Sequence, residues 1–193
     1  MMNDAINIDI PSIYASLSIE SEKLGFSMPS DSLVGSLLRT IVTSKSKANL
    51  LELGTGMGLS LAWMVDGMDK KSTIVSVDNN PALCETVSSY FQNDNRVKIV
   101  CEDGTEWIKK YKGDHFDVIF ADTWPGKYSL LDETLDLVKV GGYYVIDDML
   151  VQANWPQGHQ EKALDLIARL EERKDFRITK MSWSTGVIIL TKK

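Results

Sequence analysis

The stretch "LLELGTGMGLS", residues 50–60, decides how this chain is read. An apolar run closes on an acid, Glu52, and three glycines follow at alternate positions: Gly54, Gly56 and Gly58. "NLLELG" is too short and too apolar for a surface helix, which predicts a buried strand. "LSLAWMVDGM" continues as a helix, so the glycines fall in a strand-to-helix loop. Such a loop lies at the carboxyl edge of an open α/β sheet, where ligands bind. Gly54 permits the tight turn, and Gly56 lets a ligand reach the backbone.

Outward from this loop, strands and helices alternate. A helix is expected over about 11–23, with Pro11 in its first turn. The stripe Leu33, Leu37, Leu38, Ile41 predicts a second helix, opened by Ser30 or Asp31 as N-cap. After the glycine loop, "STIVSVD" reads as a strand, "PALCETVSSYFQ" as a helix and "RVKIVCED" as a third strand. "GTEWIKKYK" reads as a short helix and "FDVIFAD" as a fourth strand. "SLLDETLDLVKV" follows as a helix stopped by Gly141-Gly142, then "YYVIDD" as a fifth strand. "HQEKALDLIARLEERKD" is an amphipathic helix, and "FRITKMSW" with "TGVIILTKK" a closing hairpin. This order predicts a doubly wound, mostly parallel seven-stranded sheet with an antiparallel C-terminal strand. The expected layout is a single domain over 1–193, with N-terminal helices (1–45) over the ligand site and a Rossmann-like core (46–193).

The totals agree. A chain of 193 residues fits one domain, and 44% apolar with 25% charged residues is ordinary for a globular protein. The net charge of −6, without a Lys/Arg-rich block, argues against a nucleic-acid partner. No stretch approaches a membrane span, and "MMNDAINIDI" lacks the pattern of a signal peptide. Cys84 and Cys101 have neither metal nor disulfide spacing and are expected to be buried, inert thiols. The expected location is the cytoplasm; a homodimer stays open.

The glycine spacing separates two cofactors. A dinucleotide fingerprint runs G-x-G-x-x-G and would place its third glycine at Leu59. Here the pattern is G-x-G-x-G, and Glu52 at the strand end suits a cationic ligand better than a pyrophosphate. "LLELGTGMG" resembles motif I of the class I S-adenosylmethionine-dependent methyltransferases, and the similarity extends along the chain. The resemblance implies S-adenosylmethionine as cofactor. It implies that Asp78, ending "IVSVD", meets the ribose hydroxyls, and that Asp103 and Gly104 in "CEDG" lie on the adenine side. Ser60 matches a hydroxyl near the methionine carboxylate. Glu52, Gly54, Gly56 and Asp122 complete the implied cofactor set.

"FDVIFADTWPGKYSLLDETLDLVKVGGYYVIDD" is similar to the catechol and caffeoyl-CoA O-methyltransferases, with Asp122, Tyr128, Gly141, Gly142 and Asp147 matching in order. In that family the strand-end groups hold Mg²⁺, which implies Asp122, Asp147 and Asp148 as oxygen ligands to a hard cation. The chain departs from the pattern twice. Asp148 replaces an Asn, and Pro125 occupies the place of the catalytic lysine, while Lys127 matches no catalytic position. Metal dependence therefore stays open. His159, in the loop after strand five, is the candidate base because it titrates near neutrality; it also reads as a surface cap. Asp122 is the other candidate catalytic residue. Trp124 and Trp155 read either as the lining of an aromatic acceptor pocket or as core, and His115 as exposed. The resemblance implies an O-methyltransferase acting on a small molecule such as a phenol or catechol. The rival readings are a non-catalytic S-adenosylmethionine-binding module and an NAD-linked oxidoreductase.

Overall fold

The computed structural model describes residue 4 and residues 8–193. Seven strands form one sheet in the order β3-β2-β1-β4-β5-β7-β6. The strands are β1 (Asn49–Leu53), β2 (Thr73–Asp78), β3 (Val97–Cys101), β4 (Phe116–Ala121), β5 (Val138–Ile146), β6 (Phe176–Met181) and β7 (Val187–Lys192). Strands β1 to β5 pair in parallel, and β7 runs antiparallel to both β5 and β6. The predicted sheet, including its antiparallel last strand, is the one observed.

The helices are α1 (Tyr14–Lys23), α2 (Ser32–Thr43), α3 (Leu59–Gly67), α4 (Pro81–Phe91), α5 (Gly104–Lys110), α6 (Leu131–Asp136) and α7 (His159–Glu172). Side chains alternate across a strand, so β1 divides its leucines between two cores. Leu50 packs on one face with residues of α2, α3 and α4, while Leu51 and Leu53 pack on the other with residues of α5, α6 and α7. Burying each such leucine contributes roughly 1.5–3 kcal/mol. No helix among the described residues is long and apolar enough to cross a membrane.

Three local expectations change. Pro11 precedes the first helix instead of entering it, because its carbonyl accepts from Tyr14 N in a turn. Helix α6 ends at Asp136, well before Gly141-Gly142. Val138 already pairs with Phe116, and the two glycines lie inside β5, where the register shifts before Tyr143 meets Val118. The apolar run was thus shared between a helix and the start of a strand. Cys84 is buried as expected, but Cys101 is exposed because it ends the edge strand β3. Asp31 is the N-cap of α2; its carboxylate accepts from Leu33 N at 2.8 Å.

The order of strands reverses between β1 and β4, and at such a switch point the loops leave in opposite directions and open a crevice. The glycine loop follows β1, and Asp122 follows β4.

Candidate active site

The glycine loop is held against its neighbours on both sides. Gly54 has φ +100°, and a Cβ there would sit 2.9 Å from the carbonyl oxygen of Asp122. Only glycine tolerates both the positive φ and that close approach. The Gly56 amide donates to the Asp78 carboxylate at 2.9 Å, which ties the loop to the end of β2. The other Asp78 oxygen accepts from Asn80 N at 2.9 Å, at the start of α4. Both oxygens still have a free lone pair for a ligand hydroxyl.

Glu52 and Ser60 lie beneath the loop and do not line the crevice. Ser60 Oγ donates to Glu52 Oε1 at 2.6 Å, and Ser76 Oγ donates to Glu52 Oε2, with Thr55 completing the chain. Glu52 is fully buried, and burial, with a smaller contribution from Asp78, pushes its carboxyl up to about 7. Direct ligand contact by these two residues, as the sequence implied, is therefore corrected to support of the loop from below. The partner that turns Glu52 inward, Ser76, comes from the neighbouring strand β2.

Two cavities meet along this edge. The larger, about 810 Å³, is lined by Gly54, Gly56, Asp78, Asp122, Lys127, Tyr128, Asp147, Asp148 and His159, and by the segment from Phe26 to Asp31. The smaller, about 300 Å³, is lined by Gly54, Asp78, Asp103, Gly104 and Pro125. Asp78 and Gly54 border both. Asp103 caps α5 by accepting from Thr105 N at 2.9 Å and Glu106 N at 3.1 Å through one oxygen. Pro125 packs on Gly104, where an added Cβ would meet it at 3.0 Å. The position that carries lysine in the resembled family thus belongs to the smaller cavity here.

At the far end of the larger cavity stand Asp122, Asp147, Asp148 and Lys127. Ala121 pairs with Ile146 in the parallel β4–β5 ladder, so the next residues, Asp122 and Asp147, leave the sheet side by side. Burial, reinforced by Asp147, raises the Asp122 carboxyl well above its ordinary value. Burial likewise brings Asp147 to about 6 and raises Asp148. Lys127 is only 4% exposed. Its Nζ donates to the Asp147 backbone carbonyl at 2.6 Å, and burial lowers its pKa while the three acids hold it up.

The metal site implied by the resemblance, left open by the sequence, is not shown here. Among the described residues no group of three or more His, Cys, Asp or Glu side chains is arranged to hold a metal ion. Asp147 Oδ1 accepts from Thr185 Oγ1 and from Asp148 N, and Asp148 sits at φ +55°. The Lys127 amine stands among the same acids, whose charges hold its pKa up against burial.

Lys127 is the residue that sequence reading underrated, and its loop explains its direction. Gly126 has φ +84°, and a Cβ there would lie 2.6 Å from Leu53 Cδ1. The Tyr144 hydroxyl of β5 donates to the Gly126 carbonyl. This clamp turns the next side chain inward. The sequence signal was a lone lysine between strand-end acids, in a loop containing both proline and glycine.

His159 opens α7 and is buried, so the surface-cap reading is corrected. Its Nε2 lies 3.0 Å from the Tyr128 hydroxyl, while its Nδ1 is buried without a hydrogen-bond partner among the described residues. Burial, then the charge of Lys127, lowers its pKa below the ordinary 6.5. Burial pushes the Tyr128 phenol up to about 12, so the phenol donates and the imidazole accepts. Trp155 lies over His159 at 4.3 Å between ring centroids, and Trp124 meets Tyr128 at 5.2 Å. Both tryptophans line the larger cavity, which favours the pocket reading over core. His115 is exposed, as expected.

Residues 51–149 match the family described as methyltransferase domain. Catechol O-methyltransferase of Sus scrofa is 27% identical over 126 residues, covering 60% of this chain and 68% of that protein. A provisionally named O-methyltransferase of Mycobacterium ulcerans (strain Agy99) is 24% identical, and the match covers 58% of this chain. The match covers 53% of the mycobacterial protein, so the chain spans about half the length of that relative. The crystal structure of an O-methyltransferase from Bacillus cereus in complex with SAH superposes with a TM-score of 0.82. That comparison covers 97% of this chain and 94% of the other at 17% identity, a likeness of fold.

Proposed function

The chain belongs to the methyltransferase domain family, and from that premise we propose that it methylates an oxygen of a small aromatic acceptor with S-adenosylmethionine. One observation carries the reading. Asp78, Gly54 and Gly56, with Asp103 and Gly104 beyond them, lie in sequence along two adjoining cavities at the switch point of the sheet. This set matches an extended, polar adenosine ligand: a carboxylate for a diol, and a bare backbone where the ligand passes closely.

When bound, S-adenosylmethionine supplies a methyl group whose C–S bond breaks onto sulfur as the acceptor oxygen forms the new C–O bond, leaving S-adenosylhomocysteine. The chain's own residues have four tasks. Asp78 accepts from the ribose, and Asp103 with Gly104 borders the adenine end. Glu52 and Ser60 brace the glycine loop. Asp122 faces the cavity where donor and acceptor meet. Tyr128 and His159 take the acceptor's proton: it passes to the phenol oxygen as the phenol gives its own proton to Nε2. Positioning of the two substrates supplies much of the remaining rate. The segment from Phe26 to Asp31, between α1 and α2, covers the site as part of the same domain. A net charge of −6 supports a small-molecule acceptor over nucleic acid and fits a cytoplasmic enzyme.

Calorimetry with S-adenosylmethionine, S-adenosylhomocysteine and NAD tests the cofactor. Binding of both adenosyl compounds without NAD is expected. Binding of NAD alone would overturn the reading. A methyl-transfer screen over phenols separates an enzyme from a binding module.

A further inference from the structure

The acidic end of the larger cavity does not suit the divalent cation that the resemblance to catechol and caffeoyl-CoA O-methyltransferases implies. The three carboxylates do not converge as ligands, and Asp147 Oδ1 is already engaged by Thr185 and by the Asp148 amide. Lys127 is the basic group that stands among these acids. An ammonium carries three donors, and Lys127 spends one on the Asp147 carbonyl at 2.6 Å. Among the described residues it makes no other hydrogen bond and no contact ion pair with Asp122, Asp147 or Asp148, so two N–H bonds remain for a ligand at the cavity wall, beside the Tyr128 ring at 5.4 Å. A buried charge is costly unless an oppositely charged or polar oxygen meets it. A divalent ion brought to the same acids would also be repelled by this ammonium.

We propose that Lys127 takes the place of the divalent cation: its ammonium holds the acceptor oxygen, and the acceptor is a monohydroxylated aromatic compound whose ring lies against Trp124, Tyr128 and Trp155. The inference rests on the methyltransferase reading above. A metal that chelates a vicinal diol uses both oxygens; a single ammonium matches a single phenolate oxygen through a charge-assisted bond. The aromatic side fits the same ligand. Trp124 is 48% exposed although it borders the cavity, an unusual state for so large an apolar side chain. Tyr128 and Trp155 stand beside it around His159. A flat ring placed there would stack on side chains adjacent to the ammonium.

The test uses the full chain saturated with S-adenosylhomocysteine and 4-nitrophenolate as probe, followed by its absorbance. The phenolate is expected to bind equally in chelator and in excess Mg²⁺, and 4-nitrocatechol to bind no more tightly. Lys127→Met, which keeps length and removes charge, should weaken phenolate binding by at least about tenfold, while S-adenosylhomocysteine affinity stays at the parent value and so reports an intact site. Three results would each overturn the proposal: no phenolate binding to the parent protein, binding that needs Mg²⁺, or an unchanged affinity in Lys127→Met. Failure of the parent protein to bind S-adenosylhomocysteine would instead remove the methyltransferase reading itself.

Discussion

The Lys127 ammonium donates to the backbone carbonyl of Asp147 across 2.6 Å, linking the loop after β4 to the end of β5. The two residues stand 20 positions apart in the chain, and β4–β5 pairing brings them together. Through this bond the Lys127 amine is held at the cavity wall beside Asp122, Asp147 and Asp148.

Asp78 connects the glycine loop to the smaller cavity, so its loss should be felt by the cofactor. Asp78→Ala removes the acceptor for Gly56 N and, in the function proposed, for the ribose hydroxyls. Each charge-assisted bond contributes roughly 1.5–3 kcal/mol. S-adenosylhomocysteine affinity is expected to fall at least about tenfold by calorimetry, with the folded circular dichroism spectrum retained. Unchanged affinity would take Asp78 out of the site.

His159 and Tyr128 act as one unit at 3.0 Å. His159→Ala is expected to lower kcat by about 10²-fold with little effect on cofactor affinity. Tyr128→Phe should cost a similar amount, and the double variant little more, since groups in series are not additive. Burial and Lys127 lower the imidazole pKa, so the base form persists to more acidic pH. The rate should therefore rise with pH through a value below the 6.5 of a free histidine and level off by neutrality. A double variant as slow as the product of the two single effects would separate the roles.

Glu52 gives stability a pH dependence. The native state holds its proton up to about pH 7, whereas the unfolded chain releases it near 4.5. Between those values the native state binds more protons, so stability falls as pH rises. The loss is roughly 3 kcal/mol, at about 1.4 kcal/mol per pH unit. Glu52→Gln keeps hydrogen bonding to Ser60 and Ser76 without the charge. Its melting temperature should exceed the parent's above neutrality, and the difference should shrink toward pH 4.5. Melting curves that track the parent across this range would contradict the assignment.

Gly126 and Tyr144 set the direction of Lys127. Gly126→Ala forces a left-handed backbone and a 2.6 Å approach to Leu53, a strain of about 1–3 kcal/mol. Tyr144→Phe leaves the Gly126 carbonyl unpaired, again about 1–3 kcal/mol. Both losses are read by urea unfolding. If the clamp aims Lys127, Tyr144→Phe should also weaken 4-nitrophenolate binding; an effect on stability alone would limit the clamp to folding.

The sequence by itself determined the architecture and which residues gather at the carboxyl edge of the sheet. Buried strands, amphipathic helices and their alternation are local patterns, and a parallel sheet needs little beyond them. The glycines after β1, with Asp78 and Asp103 after β2 and β3, were legible for the same reason: each stands at a strand end, and strand ends share one edge. What the sequence left undecided depended on contacts between distant segments. Glu52 turns inward because Ser76 on β2 meets it, and Gly141-Gly142 lie within a strand because Phe116 pairs with Val138 ahead of them. Lys127 points into the cavity because a tyrosine hydroxyl on β5 pins the preceding carbonyl. Residue type gives a loop lysine its charge. Only tertiary packing, by burying the side chain against the wall of the larger cavity, determines where that amine is placed.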